Sequence, residues 1–139
     1  PYVADLAARF AADCTMLCHG SAELVALAEA KLAGETIDAA AISLALAPLL
    51  AQQGAAAMDT IVLACTHFPL LAKELAIALP GVALIDGGPG IARRIATLTR
   101  DQSWPDVAPE GRAVFTGGAP SATLAAALGR FGLATVSGF

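Results

Sequence analysis

Asp59-Thr60-Ile61-Val62-Leu63-Ala64-Cys65-Thr66-His67-Phe68-Pro69-Leu70-Leu71 is the stretch from which the rest of the chain is read. Thr60 to Ala64 is an apolar run with no polar alternation, the pattern of a central parallel strand covered by helices on both faces. Cys65 to Phe68 is a turn. Pro69 suits the first turn of a helix, where its missing N–H leaves no bond unmade, and that helix is predicted to run to Leu79. Pro80-Gly81 breaks it, and Val82 to Ile85 is a second short apolar strand. Strand, turn, helix and strand in this order form a parallel unit with a helical crossover.

Outward from this unit the alternation continues. Asp86-Gly87-Gly88-Pro89-Gly90 leads into a helix with Ile91, Ile95 and Leu98 on one face. A polar loop spans Trp104 to Gly111, and Ala113 to Phe115 is a strand. Thr116 to Pro120 is a turn, Ser121 caps a helix to about Arg130, and Leu133 to Val136 is a last strand. On the N-terminal side, Tyr2, Leu6 and Phe10 mark one helical face, and Cys14 to Cys18 reads as a short strand. Ser21 caps a helix from Ala22 to about Ala33, stopped by Gly34. Asp38 caps another that reaches about Gln53, with a kink or break expected at Pro48. The whole reads as α/β with a largely parallel sheet.

Composition narrows the function. The chain has 139 residues, 57% apolar and 14% charged, with a net charge of -4. A length of this order suits one domain or part of a larger one. Disordered chains are poor in apolar residues and rich in charge, so disorder is excluded. Eight Lys+Arg against twelve Asp+Glu argue against a nucleic-acid partner. Mean hydropathy is +0.69, but the longest uncharged stretch, Ala39 to Met58, is mostly Ala and contains Ser43, Pro48, Gln52, Gln53 and Gly54. It reads as a buried or half-buried helix, not a span, and no membrane partner is expected. No signal peptide is visible, and the chain opens on Pro1 and not on Met, as a cut or processed polypeptide would. Three cysteines cannot form a closed disulfide set, which points to reduced thiols and a cytoplasmic location. Cys14, Cys18 and His19 have the spacing of no common zinc site, so no metal is expected.

Ligands of open α/β sheets bind beyond the carboxyl ends of the strands, and Cys65 sits at such an end. A helix start there favours the thiolate through the dipole and free N–H groups. His67 can pair with the thiol or relay its proton. Thr66 offers a hydroxyl and an N–H to an anionic substrate. The alternative is a buried structural cysteine followed by a helix cap, and spacing alone favours neither. Glu29 by itself reads as a solvated helix residue. Cys14 and Cys18 fall on one face of their strand and read as small buried hydrophobes, and His19 as a loop residue. Asp86 to Gly90 matches no phosphate-loop pattern and reads as a turn with a helix cap, as does Thr116-Gly117-Gly118.

The run Ala-Cys-Thr-His-Phe-Pro-Leu-Leu at 64–71 resembles the Gly-Cys-Thr-His-(Phe/Tyr)-Pro-Leu-Leu hallmark of glutamate racemases. The resemblance continues in Leu24-Val25-Ala26-Leu27-Ala28-Glu29, in Val82 to Asp86, in Thr116-Gly117-Gly118 and in Leu128-Gly129. It covers essentially the whole chain but only the second part of the family. It implies interconversion of L- and D-glutamate by two cysteines on opposite faces of the α-carbon, with no cofactor, to supply D-glutamate for peptidoglycan. Cys65 matches the second of these cysteines and Thr66 a position that contacts substrate. His67 matches the histidine assisting that cysteine, and Glu29 the glutamate that orients it. The Cys-Asn-Thr motif of the first cysteine and the Asp-Ser loop before it are not present, and the neighbours of Cys14 and Cys18 fit neither. Ala64 stands where the family has Gly, a change that adds a methyl at a close backbone approach.

The fold implied has two pseudo-symmetric α/β lobes with substrate between them. On that map residues 1–86 are most of the second lobe and 87–139 a segment returning to the first, whose remainder is absent. The partners implied are glutamate, the missing N-terminal part or another chain covering the exposed faces, and a second copy in a homodimer. With one of two thiols these 139 residues alone are expected to be inactive. The chemistry supports that expectation. An amino-acid α-proton is very weakly acidic, so a cofactor-free site must supply proximity, desolvation and preorganised donors, with an acid and a base on opposite faces. Two other functions stay open: racemisation or decarboxylation of another small acid, and a truncated non-catalytic binding module.

Overall fold

The computed structural model describes residues 2–138. Helix α1 (Tyr2–Phe10) is followed by α2 (Ala22–Leu32) and α3 (Ala39–Leu50). Strand β1 (Thr60–Leu63) leads through a 3-10 turn (Phe68–Leu71) into α4 (Ala72–Ala78) and β2 (Ala83–Asp86). Then come α5 (Gly88–Leu98), β3 (Arg112–Phe115), α6 (Ala122–Gly129) and β4 (Thr135–Gly138). The helix starts are those the caps foretold. Ser21 Oγ accepts from the Leu24 N–H at 3.1 Å, Asp38 Oδ1 from the Ala40 N–H at 3.0 Å, and Ser121 Oγ from the Leu124 N–H at 3.2 Å.

The expected parallel pairing is present, as α/β strand–helix–strand units. β1 pairs with β2 in parallel, from Thr60 opposite Ala83 to Leu63 opposite Asp86. β3 pairs with β4 in parallel, from Arg112 opposite Thr135 to Phe115 opposite Gly138. Among the described residues these are two separate two-stranded sheets.

One apolar core lies against the β1–β2 sheet. It combines Leu24 and Ala28 of α2, Ile42, Ala45, Leu46 and Leu49 of α3, Leu63 of β1, and Leu71, Leu75 and Leu79 of the crossover. Ile42 and Leu71 are fully buried. Ile61 and Leu84 pack on this core from the same sheet face. The opposite face is open: Val62 is 66% and Ile85 52% exposed. The expectation that β1 is covered on both faces therefore fails for the described residues. The continuous apolar run is right for a two-sided strand, but only one of its sides meets helices of this chain. Ile91, Ile95 and Leu98 share one face of α5, as predicted, and all three are exposed, as are Tyr2 and Phe10 of α1.

Six local expectations are corrected. Cys14 to Cys18 is not a strand: it forms no ladder with a strand of the described sheets, and the Cys18 carbonyl accepts from Gln52 Nε2 at 3.1 Å instead. Cys14 and Cys18 are accordingly exposed, not buried. α3 runs unbroken through Pro48, because the residue is on the exposed side and water can satisfy the carbonyl that its missing N–H leaves free. α3 then ends at Leu50, short of Gln53. The helix foreseen from Pro69 to Leu79 is divided, since its first turn is 3-10 and the α-helix begins at Ala72. The last strand starts two residues later than read. The Leu133 N–H closes the end of α6 by bonding the Leu128 carbonyl at 3.2 Å, after Gly132 turns with φ 78°. No helix among the described residues is long and apolar enough to cross a membrane.

The core makes a direct prediction. Leu71→Ala should lower stability by about 2–5 kcal/mol in urea denaturation, because it opens a cavity where no solvent reaches. Leu44→Ala, on the exposed side of α3, should change it by less than about 0.5 kcal/mol.

Candidate active site

The end of β1 is shaped by three short backbone bonds. The Ala64 N–H bonds the Val62 carbonyl at 3.0 Å, the Phe68 N–H the Cys65 carbonyl at 3.3 Å, and the Leu70 N–H the His67 carbonyl at 3.0 Å. They fold Cys65-Thr66-His67 into a tight reversal, so that Cys65 Sγ lies 3.7 Å from His67 Nδ1. The 3-10 turn beyond it packs on α2. That contact brings Glu29 Oε1 to 2.7 Å from His67 Nε2. A thiol, an imidazole and a carboxylate thus stand in a row, contributed by residues 38 apart along the chain at the longer link.

The row polarises the thiol. With Nε2–H donated to Glu29, Nδ1 accepts from the thiol or, once protonated, donates to the thiolate. The Cys65 thiol is held below its ordinary pKa first by the His67 backbone N–H, then by the His67 side chain, with the Phe68 N–H adding to them against partial desolvation. The His67 pKa is raised, first by its bond to Cys65 and then by its bond to Glu29. Both shifts favour the thiolate–imidazolium form. Glu29 and His67 remain partly open to solvent, with side chains 57% and 32% exposed.

Sequence reasoning named Cys65, Thr66, His67 and Glu29. The structure brings Cys65, His67 and Glu29 into direct contact and leaves Thr66 exposed between the first two. Ala64 is exposed, and no described residue other than glycine has a positive φ, so a methyl is carried at this strand end without backbone strain. Asp86 Oδ1 accepts from the Gly88 N–H at 2.7 Å, which closes the expected turn ahead of α5, while the N-cap residue itself is Gly87 and makes no side-chain cap. Cys14 lies apart on the surface, its pKa raised chiefly by the neighbouring Asp13 charge. A concavity of about 410 Å³ between α2 and α3 is lined by Glu23, Leu27 and Leu44 among others and by none of the row.

One ion pair beside the row had no sequence signal. Lys31 Nζ lies 2.7 Å from Glu74 Oε2 and donates to the Leu70 carbonyl at 2.8 Å. The partners are 43 and 39 residues away, beyond the reach of helical or strand periodicity.

These features define a parallel α/β chain with a polarised thiol at the carboxyl end of a strand. No family model matches it. Its sequence is 58% identical over 117 residues to the glutamate racemase of Sphingopyxis alaskensis, an alignment covering 84% of this chain and 44% of that protein. It is 49% identical over 116 residues to the glutamate racemase of Pectobacterium carotovorum, covering 83% and 40%. The crystal structure of Escherichia coli glutamate racemase in complex with L-glutamate and the activator UDP-MurNAc-Ala matches at a TM-score of 0.83 and 42% identity, over 99% of this chain and 52% of that one. The chain is a homologue of the C-terminal portion of glutamate racemases and shares their α/β fold. It spans about half the length of the relatives it matches.

Because Cys14 and Cys18 are exposed, thiol labelling separates access from ionisation. Iodoacetamide at pH 7 should modify Cys65 before Cys14, the thiol with the raised pKa. Near pH 10 that preference should narrow or reverse, since the thiolate fraction of Cys14 then rises and access weighs more. Peptide mass spectrometry over a pH series would read both limbs, and a Cys65 rate no greater than that of Cys14 at pH 7 would contradict the polarised row.

Proposed function

We propose that this chain is the part of a glutamate racemase that carries the second of two catalytic cysteines, and that the intact polypeptide interconverts L- and D-glutamate without a cofactor. The observation that carries this reading is the Glu29–His67–Cys65 row, in a chain 58% identical to a glutamate racemase over 117 residues. D-Glutamate so made would serve peptidoglycan synthesis in the cytoplasm.

In this proposal the Cys65 thiolate takes the α-proton of L-glutamate and becomes a thiol. The first cysteine, on the portion of the polypeptide outside these residues, delivers a proton to the opposite face and becomes the thiolate. His67 stabilises the ionised form of Cys65 and accepts or returns its proton, while Glu29 holds the imidazole. The Thr66 hydroxyl and backbone N–H meet the substrate carboxylate. Residues 1–86 form most of the second lobe, and 87–139 return to the first. The first part of that lobe covers the open sheet face and the exposed stripes of α1 and α5, and two polypeptides form a homodimer.

The direction of proton transfer tests the role of Cys65. In the intact polypeptide Cys65→Ser keeps the shape but replaces a group of pKa about 8.5 by a far weaker acid. Racemisation should fall by roughly 10²–10⁴-fold, the usual worth of a general base. An analogue that loses a β-leaving group needs only one base. Cys65→Ser should still eliminate from the D-analogue, where the other cysteine acts, and fail with the L-analogue. Equal damage in both directions would make Cys65 a structural or binding residue.

A further inference from the structure

Lys31 and Glu74 form an ion pair at 2.7 Å, with side chains 34% and 22% exposed. Lys31 stands in the last turn of α2, the turn that also carries Glu29. Helix ends fray, so Glu29 holds its place on His67 only while that last turn stays formed. Lys31 closes the turn onto the other half of the row. Its ammonium donates to the Leu70 carbonyl at 2.8 Å, and the Leu70 N–H is bonded to the His67 carbonyl at 3.0 Å. Its other partner, Glu74, lies in the first turn of α4. A single side chain thus ties the helix bearing Glu29 to the turn bearing His67 and to the helix that follows.

The surroundings fit a fixed pair. Partial burial works against the Glu74 charge, yet the hydrogen bond from Lys31, the Glu74 backbone N–H, and the charges of Lys31 and Lys73 hold its pKa below the ordinary value. Arg130 lines the same cavity of about 140 Å³ as Lys31, with Leu32, Leu70 and Phe131. A second cation there leaves Glu74 as the counter-charge that holds Lys31 in place.

We propose that Lys31 and Glu74 are positioning residues: a latch that keeps Glu29 on His67 Nε2 and so sets how readily Cys65 ionises. This rests on the reading of Cys65 as the acid–base thiol, but its test does not. The probe is iodoacetamide labelling of Cys65 in the intact polypeptide, followed by mass spectrometry across pH. Lys31→Met and Glu74→Gln should each slow labelling at pH 7 by on the order of two- to five-fold, the range spanned by partly exposed ion pairs, and move the curve to higher pH. Cys14 should be unaffected. The sign for Glu74→Gln is decisive. Loss of a negative charge acting only through space would speed labelling, whereas loss of the latch slows it.

Lys31→Arg should restore the wild-type curve, as should the exchanged pair Lys31→Glu with Glu74→Lys. In a Glu29→Gln background neither Lys31→Met nor Glu74→Gln should slow labelling further. Opposite signs for the two variants, no change in either, or full effects without Glu29 would each overturn the latch. Should Lys31→Met fail to fold, Glu74→Gln and Lys31→Arg decide the matter. In turnover, the latch variants should lower kcat from L-glutamate with KM little changed. If Cys65→Ser retains turnover while the labelling curve still moves, the catalytic reading falls and the latch stands.

Discussion

Glu29 meets His67 because α2 lies directly on the 3-10 turn that follows β1, and this packing is the constraint on which the site depends. The helix can come so close because Ala28, fully buried, presents only a methyl to the contact, while Leu71 fills the space beneath the turn with no exposure at all. Glu29 is the next residue along α2, at the margin of the buried stripe, where a carboxylate can leave the core and reach the imidazole. The apolar core and the polar row are therefore one piece of architecture, with burial supplying the force and the row the consequence.

The row is arranged to favour charge at Cys65 without burying it. The backbone N–H groups of His67 and Phe68 assist the imidazole in holding the Cys65 pKa down, and the Phe68 N–H also bonds the Cys65 carbonyl in the reversal that starts the 3-10 turn. Backbone donors carry no proton that can leave and no rotamer that can drift, so they preorganise the thiolate more firmly than a side chain would. Glu29 and His67 keep substantial solvent contact, which weakens every electrostatic term among them. Closing the site with further protein and excluding water would strengthen the same contacts with no change in their geometry.

Where local chemistry decides structure, the sequence was a sufficient guide. The caps at Ser21, Asp38 and Ser121, the parallel pairing of β1 with β2, and the position of Cys65 at a strand end all follow from side chains acting on their own neighbourhood. The errors arose where the outcome depends on what lies alongside. Cys14 to Cys18 has the composition of a strand, but a strand is made by ladder hydrogen bonds to a neighbour, and this segment forms none with either described sheet. Pro48 has the composition of a helix break, but its position on the exposed side lets α3 continue. Glu29 carried no local signal at all. A glutamate on a helix reads as solvated, and only the resemblance to glutamate racemases singled it out. Lys31 and Glu74 lay outside both kinds of reading, since neither periodicity nor a motif links residues 43 apart.

In the proposed racemase, proton exchange at a carbon that turns planar would use groups on two opposed faces. All the polar elements of the row converge from one side, at the end of one strand. In that proposal the second acid arrives on a separate element, which needs its own scaffold and a surface to dock on. The open face of the β1–β2 sheet and the exposed apolar stripes of α1 and α5 are what such docking requires. In the proposed racemase, the same fact explains the incomplete catalytic set and the uncovered hydrophobic surface: the residues described here are one side of a two-sided site.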